Sequence, residues 1–144
     1  MFTSASIRAA SVYKRVAAET SVQGAAPHQL VELLFDALLQ SLVTARGAIA
    51  RGDVVTKGQA IGKAVRIIEE GLKAGLNVRD GGDLAQNLLA LYDYSTGRLT
   101  LANLRNDASL LEEVSGLIEP VASSWKLIRG PGPAYLQPVP GRGA

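Results

Sequence analysis

The chain of 144 residues contains no cysteine and only one histidine, His28, and these absences exclude several kinds of chemistry. Without cysteine there is no disulfide framework, no thiolate nucleophile and no cysteine-based metal or redox site. A di-iron helical bundle needs a Glu-x-x-His pair on each of two helices, which one histidine cannot supply. His28, Glu32 and Asp36 stand four residues apart, and we interpret them as a solvated polar stripe of a helix. The sequence therefore predicts no metal site, no cofactor and no enzyme.

Proline is missing from the middle of the chain, which favours helix there. More than ninety residues separate Pro27 from Pro120, and they show almost no β-type alternation. Breakers and caps divide this stretch into four predicted helices: Pro27 to about Gly47–Gly52, about Val55 to Leu76, about Asp83 to Arg105–Asn106, and Asp107 to Ile128. We expect Pro120 to kink the fourth helix or to make it restart. Four helices joined by short loops predict an all-α, antiparallel up-down bundle.

The chain also lacks a basic folded surface and a long hydrophobic run. Its isoelectric point is near 9.1, but residues 27–128 carry ten basic and twelve acidic side chains. The positive balance lies in the two ends, so we expect no nucleic-acid partner. No uninterrupted apolar run approaches the ~20 residues of a membrane span, so we expect a soluble chain without membrane insertion.

Composition predicts three parts: an N-terminal arm over residues 1–26, a helical bundle over 27–128, and a tail over 129–144. The tail is rich in proline and glycine, and we expect it to be disordered. The arm is basic and weakly amphipathic, which is also typical of a mitochondrial transit peptide. It contains Tyr13 and Glu19 and leads into the bundle without a spacer. We therefore favour an arm that lies on the apolar surface of the bundle.

The third predicted helix carries two apolar stripes, although a bundle core needs only one. The first stripe contains Leu84, Leu88, Leu91, Tyr92, Ser95, Leu99 and Ala102. What we call the second stripe contains Ala90, Tyr94, Gly97, Leu101 and Leu104, at the 4-3-4-3 spacing that a partner helix packs against. Further apolar positions exceed the core stripes of the first two helices: Leu39, Val43, Ala60, Ile67 and Ala74. Two explanations stay open: burial in an irregular core or a homodimer, and a groove for a partner helix.

Several of these residues together resemble the FliS family of flagellin-specific export chaperones, over about residues 10 to 128. The most specific part is Gly81-Gly82-Asp83-Leu84-Ala85-Gln86-Asn87-Leu88, followed by Leu91-Tyr92-Asp93-Tyr94. Supporting positions are Tyr13-Lys14, Pro27, Leu33 to Leu38, Lys63-Ala64, Ile67-Ile68, Leu76, Ala102-Asn103, Val114 and Trp125. The chain departs from the family pattern at Phe35 and Ala37, where Leu-Tyr-Asp-Gly is usual, and at Ala26, where a capping Ser or Thr is common. Phe35 lacks the hydroxyl of the family's tyrosine.

The resemblance implies a helical bundle in the bacterial cytosol that binds new flagellin. Such chaperones hold the C-terminal region of flagellin as helices along apolar grooves, prevent premature polymerisation and bring flagellin to the export gate of the flagellar type III secretion system. In relatives the N-terminal segment can cover part of the client surface. The candidate client-binding residues are Tyr13, Phe35, Leu39, Ile67, Ala90, Tyr94, Leu101 and Leu104. The alternative is a structural, homodimeric helical-bundle interaction protein.

Overall fold

A computed structural model describes residues 27–128, and these residues form a bundle of four helices. The helices are α1 (Pro27–Ala50), α2 (Val54–Arg66), α3 (Gly82–Arg105) and α4 (Ala108–Leu127), and α2 continues directly into a π-helical segment (Ile67–Lys73). No strand occurs within residues 27–128. The predicted all-α bundle is therefore confirmed. The predictions for the arm and for the tail lie outside the described residues.

Local side-chain chemistry sets the helix boundaries close to their predicted places. The Asp53 carboxylate accepts a hydrogen bond from the Thr56 amide (3.1 Å) and caps α2. Asp107 does the same for α4 through the Ser109 amide (2.9 Å). Asn106 ends α3 in the left-handed region with φ of 54°, a conformation that asparagine tolerates better than most residues. Short polar residues therefore end one helix and begin the next within two positions.

Pro120 lies inside α4, and the helix does not restart there as we had expected it could. The proline removes the hydrogen bond that its nitrogen would donate to the carbonyl of Gly116. Both residues lie on the exposed side of the helix, where water can replace the lost partner.

The π-helical segment that follows α2 also contributes to the core. Its hydrogen bonds run from i to i+5 and widen the turn. Ile67, Ile68, Gly71 and Leu72 are buried. Ile67 is 2% exposed, so it belongs to the core of the bundle.

The core is built around α1, which packs against α2 on one side and α4 on the other. Its fully buried side chains are Leu34, Phe35, Leu38, Leu42, Ala45 and Ala48. By length and composition α1 is apolar enough to cross a membrane, with a mean hydropathy of 1.4. Our count of uninterrupted apolar runs missed this property. A central core helix has the same composition, because it meets neighbours on more than one face.

His28 joins the start of α1 to the end of α4 instead of belonging to a solvated stripe. Its ring stacks on Trp125 of α4, with 4.3 Å between the ring centroids and 20° between the planes. The indole Nε1 of Trp125 donates a hydrogen bond to the His28 carbonyl (3.0 Å). Asp36, which we placed in the same stripe, forms an ion pair with Lys126, with 2.9 Å between Asp36 Oδ1 and Lys126 Nζ. Our interpretation was therefore wrong for His28, since the wheel of α1 alone does not show which helix packs beside it.

Candidate partner-binding face

The second stripe of α3 lies on the surface of the bundle. Leu104 is 78% exposed and Tyr94 is 46% exposed, and Ala90 and Gly97 are exposed as well. Leu101 is half-buried and touches the core. By contrast, most of the first stripe is buried: Leu88, Tyr92, Ser95, Leu99 and Ala102. Apart from Leu101, the members of the second stripe are therefore exposed among residues 27–128.

The other candidate client-binding residues lie elsewhere. Phe35 has no exposed surface and Ile67 has very little, and both belong to the core. Leu39 is half-buried against the core, and Tyr13 lies outside the described residues. A phenylalanine at position 35 suits its apolar surroundings, because its ring needs no hydrogen-bond partner there. Of the eight candidates, the structure thus brings together the four residues on α3.

A hydrogen-bonded cluster of three side chains joins the second stripe to α4, and we call it the Tyr94 cluster. The Tyr94 hydroxyl donates to Glu113 Oε2 (2.5 Å), and Arg98 Nε donates to Glu113 Oε1 (2.8 Å). The Arg98 guanidinium also lies over the Tyr94 ring, 5.6 Å from its centroid. Glu113 was not among the candidate residues predicted from the sequence. Only the i, i+4 spacing of Tyr94 and Arg98 is visible in the sequence, because the position of Glu113 depends on how α3 and α4 pack.

The titration of the Tyr94 cluster follows from these bonds. The hydrogen bond to the Glu113 carboxylate raises the pKa of the Tyr94 hydroxyl, because ionised Tyr94 would face a second negative charge. The hydrogen bonds from Tyr94 and Arg98 lower the pKa of Glu113. The cluster is solvent-exposed, so these bonds orient the side chains more than they stabilise the fold.

Charged pairs border the second stripe on both sides. On the α4 side lie Arg98 and Glu113. On the other side Lys73, the last residue of the π-helical segment, forms an ion pair with Asp93 at 2.6 Å. Lys73 donates hydrogen bonds to the carboxylates of Asp93 and Glu69. Both bonds raise the pKa of Lys73, and the bond to Asp93 has the larger effect. An apolar centre with a polar border is the usual composition of a protein-binding surface.

Lys57 holds the end of the second stripe in place. Lys57 is only 7% exposed. Its ammonium group donates hydrogen bonds to the Asn103 carbonyl (2.9 Å) and to Asn106 Oδ1 (2.6 Å). A cation at this position also satisfies the free carbonyls of a helix C-terminus. The bonds connect the start of α2 with the last turn of α3, from which Leu104 projects. Nothing in the sequence pattern pointed to this contact.

A separate groove of about 610 Å³ lies between α1 and α2. Its walls are formed by Leu33, Asp36, Ala37, Gln40, Ser41, Thr44, Thr56, Gln59, Ala60 and Lys63. None of the seven candidate client-binding residues within residues 27–128 lines it. Within residues 27–128, no group of three histidine, aspartate or glutamate side chains is arranged to hold a metal ion.

Comparison with known proteins decides the family. The family model described as "Flagellar protein FliS" matches residues 9–131, which is most of the chain. The chain belongs to the FliS family. This confirms the resemblance inferred from the glycine–glycine–acid motif and the Leu-Tyr-Asp-Tyr motif of α3.

Characterised members of the FliS family are similar to this chain over most of its length. The "Flagellar secretion chaperone FliS" of Salmonella typhimurium is 51% identical over 128 residues, covering 89% of this chain and 93% of the relative. FliSB of Pseudomonas aeruginosa is 45% identical, covering 83% and 94%. FliS of Escherichia coli K12 is 42% identical, covering 79% and 84%. This FliS-family chain therefore has a role in flagellar export as a chaperone, which is not an enzyme class.

Proposed function

We propose that this FliS-family chain binds the C-terminal region of flagellin in the bacterial cytoplasm, prevents its premature polymerisation and assists its delivery to the export gate of the flagellar type III secretion system. The supporting observation is an apolar helix face, the second stripe, that the bundle leaves exposed. Its 4-3-4-3 spacing suits a client helix with apolar residues at matching positions. Membership of a family of flagellar secretion chaperones supports an export substrate as that client.

The energetics require a long contact. A client segment that folds as it binds must offset an ordering cost of about 2–5 kcal/mol. Burial of apolar surface contributes roughly 25 cal/mol per Å², so a few half-covered side chains are not enough. We therefore expect the client helix to follow α3 over the whole second stripe. The charged pairs on both borders would then remain at the edge of the interface, where they favour one register of the client.

Replacing Leu104 with aspartate tests this proposal. Leu104→Asp places a charge in the interface but disturbs no core contact, because Leu104 is 78% exposed. We expect binding to a synthetic peptide of the C-terminal flagellin segment from the same genome to weaken by about tenfold or more in isothermal calorimetry. Leu101→Asp is a less clean test, since Leu101 also touches the core.

The control is Leu127→Asp, the same substitution at a side chain that is 82% exposed at the far end of α4. We expect it to leave peptide affinity within about twofold, and both variants to keep their melting temperature within a few degrees, as surface substitutions usually do. Equal affinity of Leu104→Asp and the unmodified chain would contradict the proposal.

A homodimer is the second candidate, since a 4-3-4-3 stripe also suits a second copy of α3. In that case the second stripe would be covered by its own counterpart in the free protein. Sedimentation equilibrium would then give a mass that rises with concentration, and Leu104→Asp would lower it to that of one chain. A constant monomer mass would exclude this candidate.

A further inference from the structure

The second stripe contains one polar side-chain atom, the hydroxyl oxygen of Tyr94. The remaining members are alanine, glycine and leucine, so a client helix could cover them without hiding a side-chain donor or acceptor. Tyr94 is 46% exposed, and its hydroxyl lies on the α4 side of the stripe, where it reaches Glu113. An apolar client that covers this ring also shields the hydroxyl from water.

A shielded hydroxyl weakens binding unless it has a partner. A polar group that loses water on binding and gains nothing in return carries its full desolvation penalty. In this chain the partner is already in place, because the Tyr94 hydroxyl donates to Glu113 Oε2 at 2.5 Å before any client arrives. Hydrogen bonds to a charged acceptor are stronger than neutral ones.

Glu113 is itself well placed for this task. It lies on α4, beside the second stripe and not within it, and its side chain is 36% exposed. Arg98 donates to the second carboxylate oxygen at 2.8 Å, so the charge of Glu113 is compensated from within the chain. The client therefore has to supply neither a partner for the hydroxyl nor a counter-charge for the carboxylate.

We propose that Glu113 is a positioning residue for the client: it holds the Tyr94 ring across the seam between α3 and α4 with its hydroxyl satisfied, and the ring thereby presents an apolar surface to an apolar segment of the client helix. This inference rests on the proposed function and specifies the chemistry of the partner. The client residue against Tyr94 is aliphatic or aromatic, and it makes no hydrogen bond to the tyrosine. Glu113 acts on the client only through Tyr94.

A double-mutant cycle on the full chain tests this role. The four proteins are the unmodified chain, Glu113→Ala, Tyr94→Phe and the double variant, each titrated with the same C-terminal flagellin peptide. We expect Glu113→Ala to weaken binding by about tenfold, because the hydroxyl is then buried without a partner. We expect Tyr94→Phe to weaken binding by less than Glu113→Ala does, since it loses the bond that positions the ring but has no hydroxyl to satisfy. In the Tyr94→Phe background, Glu113→Ala should then change affinity by less than about twofold.

A conservative replacement separates positioning from charge. The amide oxygen of Glu113→Gln can still accept the Tyr94 hydrogen bond, so this variant should recover most of the affinity lost in Glu113→Ala. The melting temperatures of all variants should agree within a few degrees, because an exposed ion pair adds little to stability.

The outcomes are distinct. If Glu113→Ala costs as much affinity with phenylalanine at position 94 as with tyrosine, Glu113 acts through Arg98 or through its own charge, and the inference is overturned. It is also overturned if Glu113→Ala leaves affinity unchanged, or if Glu113→Gln is as weak as Glu113→Ala. If the unmodified, folded chain does not bind the peptide at all, the proposed function fails and this inference fails with it.

Discussion

At the scale of single residues, side chains on one helix face have different environments that their spacing alone does not reveal. Leu104 and Leu101 are three residues apart in the second stripe, yet one is 78% exposed and the other touches the core. Their shared face could be predicted, because it depends only on the helical period. The bonds of Tyr94 to Glu113 and of Lys57 to Asn106 could not, since each partner comes from a different helix.

The Tyr94 cluster makes a prediction about pH. The pKa of Tyr94 is raised above its ordinary value of about 10, so the native state holds this proton more tightly than the unfolded chain does. The stability that this gives is present below pH about 10 and is lost as the pH rises through the higher native pKa. In Glu113→Gln the negative neighbour is gone, so we expect the pKa of Tyr94 to fall.

Ultraviolet absorbance of tyrosinate measures this shift, with the spectrum of Tyr94→Phe subtracted to isolate one tyrosine among four. Glu113→Asp is a useful comparison, because it keeps the charge but shortens the side chain. An unchanged titration of Tyr94 in Glu113→Gln would show that the charge of Glu113 does not act on Tyr94 in solution.

At the scale of elements, α3 has two faces with different tasks. The sequence predicted both stripes and the approximate ends of all four helices, because proline, glycine and capping aspartates act locally. It did not predict the π-helical segment, since the spacing of Ile67, Ile68 and Leu72 also fits an ordinary α-helix. It also left open whether α4 would restart at Pro120, and the helix runs through that position without a break.

The two faces of α3 should respond differently to the same substitution. Leu88→Ala removes a side chain that is 7% exposed and leaves a cavity, so we expect it to destabilise the fold by about 2–5 kcal/mol. Leu104→Ala removes an exposed side chain, and we expect a change of less than about 0.5 kcal/mol. Urea denaturation of both variants measures the difference. Similar losses of stability for the two would mean that Leu104 is buried in solution, as in a dimer.

At the scale of the whole molecule, the bundle leaves one apolar face uncovered and belongs to a family of flagellar secretion chaperones. The family was recognisable from the sequence because its most specific motif covers the start and middle of α3. Four of the eight candidate residues share the second stripe, as the helical period predicted. Phe35 and Ile67 instead lie in the core. The reason is that α1 and the π-helical segment each contact more than one neighbouring helix, which the helical spacing of their residues did not reveal.

The N-terminal arm is expected to compete with the client. Residues 1–26 lie outside the described residues, so this prediction rests on the amphipathic sequence around Tyr13 and Val16 and on the exposed second stripe. A segment that occupies the stripe part of the time lowers the apparent affinity for the client by that fraction. Deletion of residues 1–23 should therefore strengthen binding of the flagellin peptide or speed its association, and should promote self-association of the free chain.

Tyr13→Ala serves as the smaller matched change and should shift affinity in the same direction as the deletion, but by less. Stopped-flow fluorescence and calorimetry report rate and affinity separately. Markedly weaker binding by a truncated chain that remains folded would mean that the arm contacts the client directly.

Protection of single cysteines tests the central claim most directly, namely that the second stripe is the surface that flagellin covers. Because the chain contains no cysteine, Leu104→Cys and Leu127→Cys each introduce one unique thiol at an exposed position. The rate of maleimide labelling is measured with and without the C-terminal flagellin segment. We predict that flagellin slows labelling at position 104 by about tenfold or more and leaves position 127 unchanged. Equal labelling rates at position 104 with saturating flagellin would contradict the account.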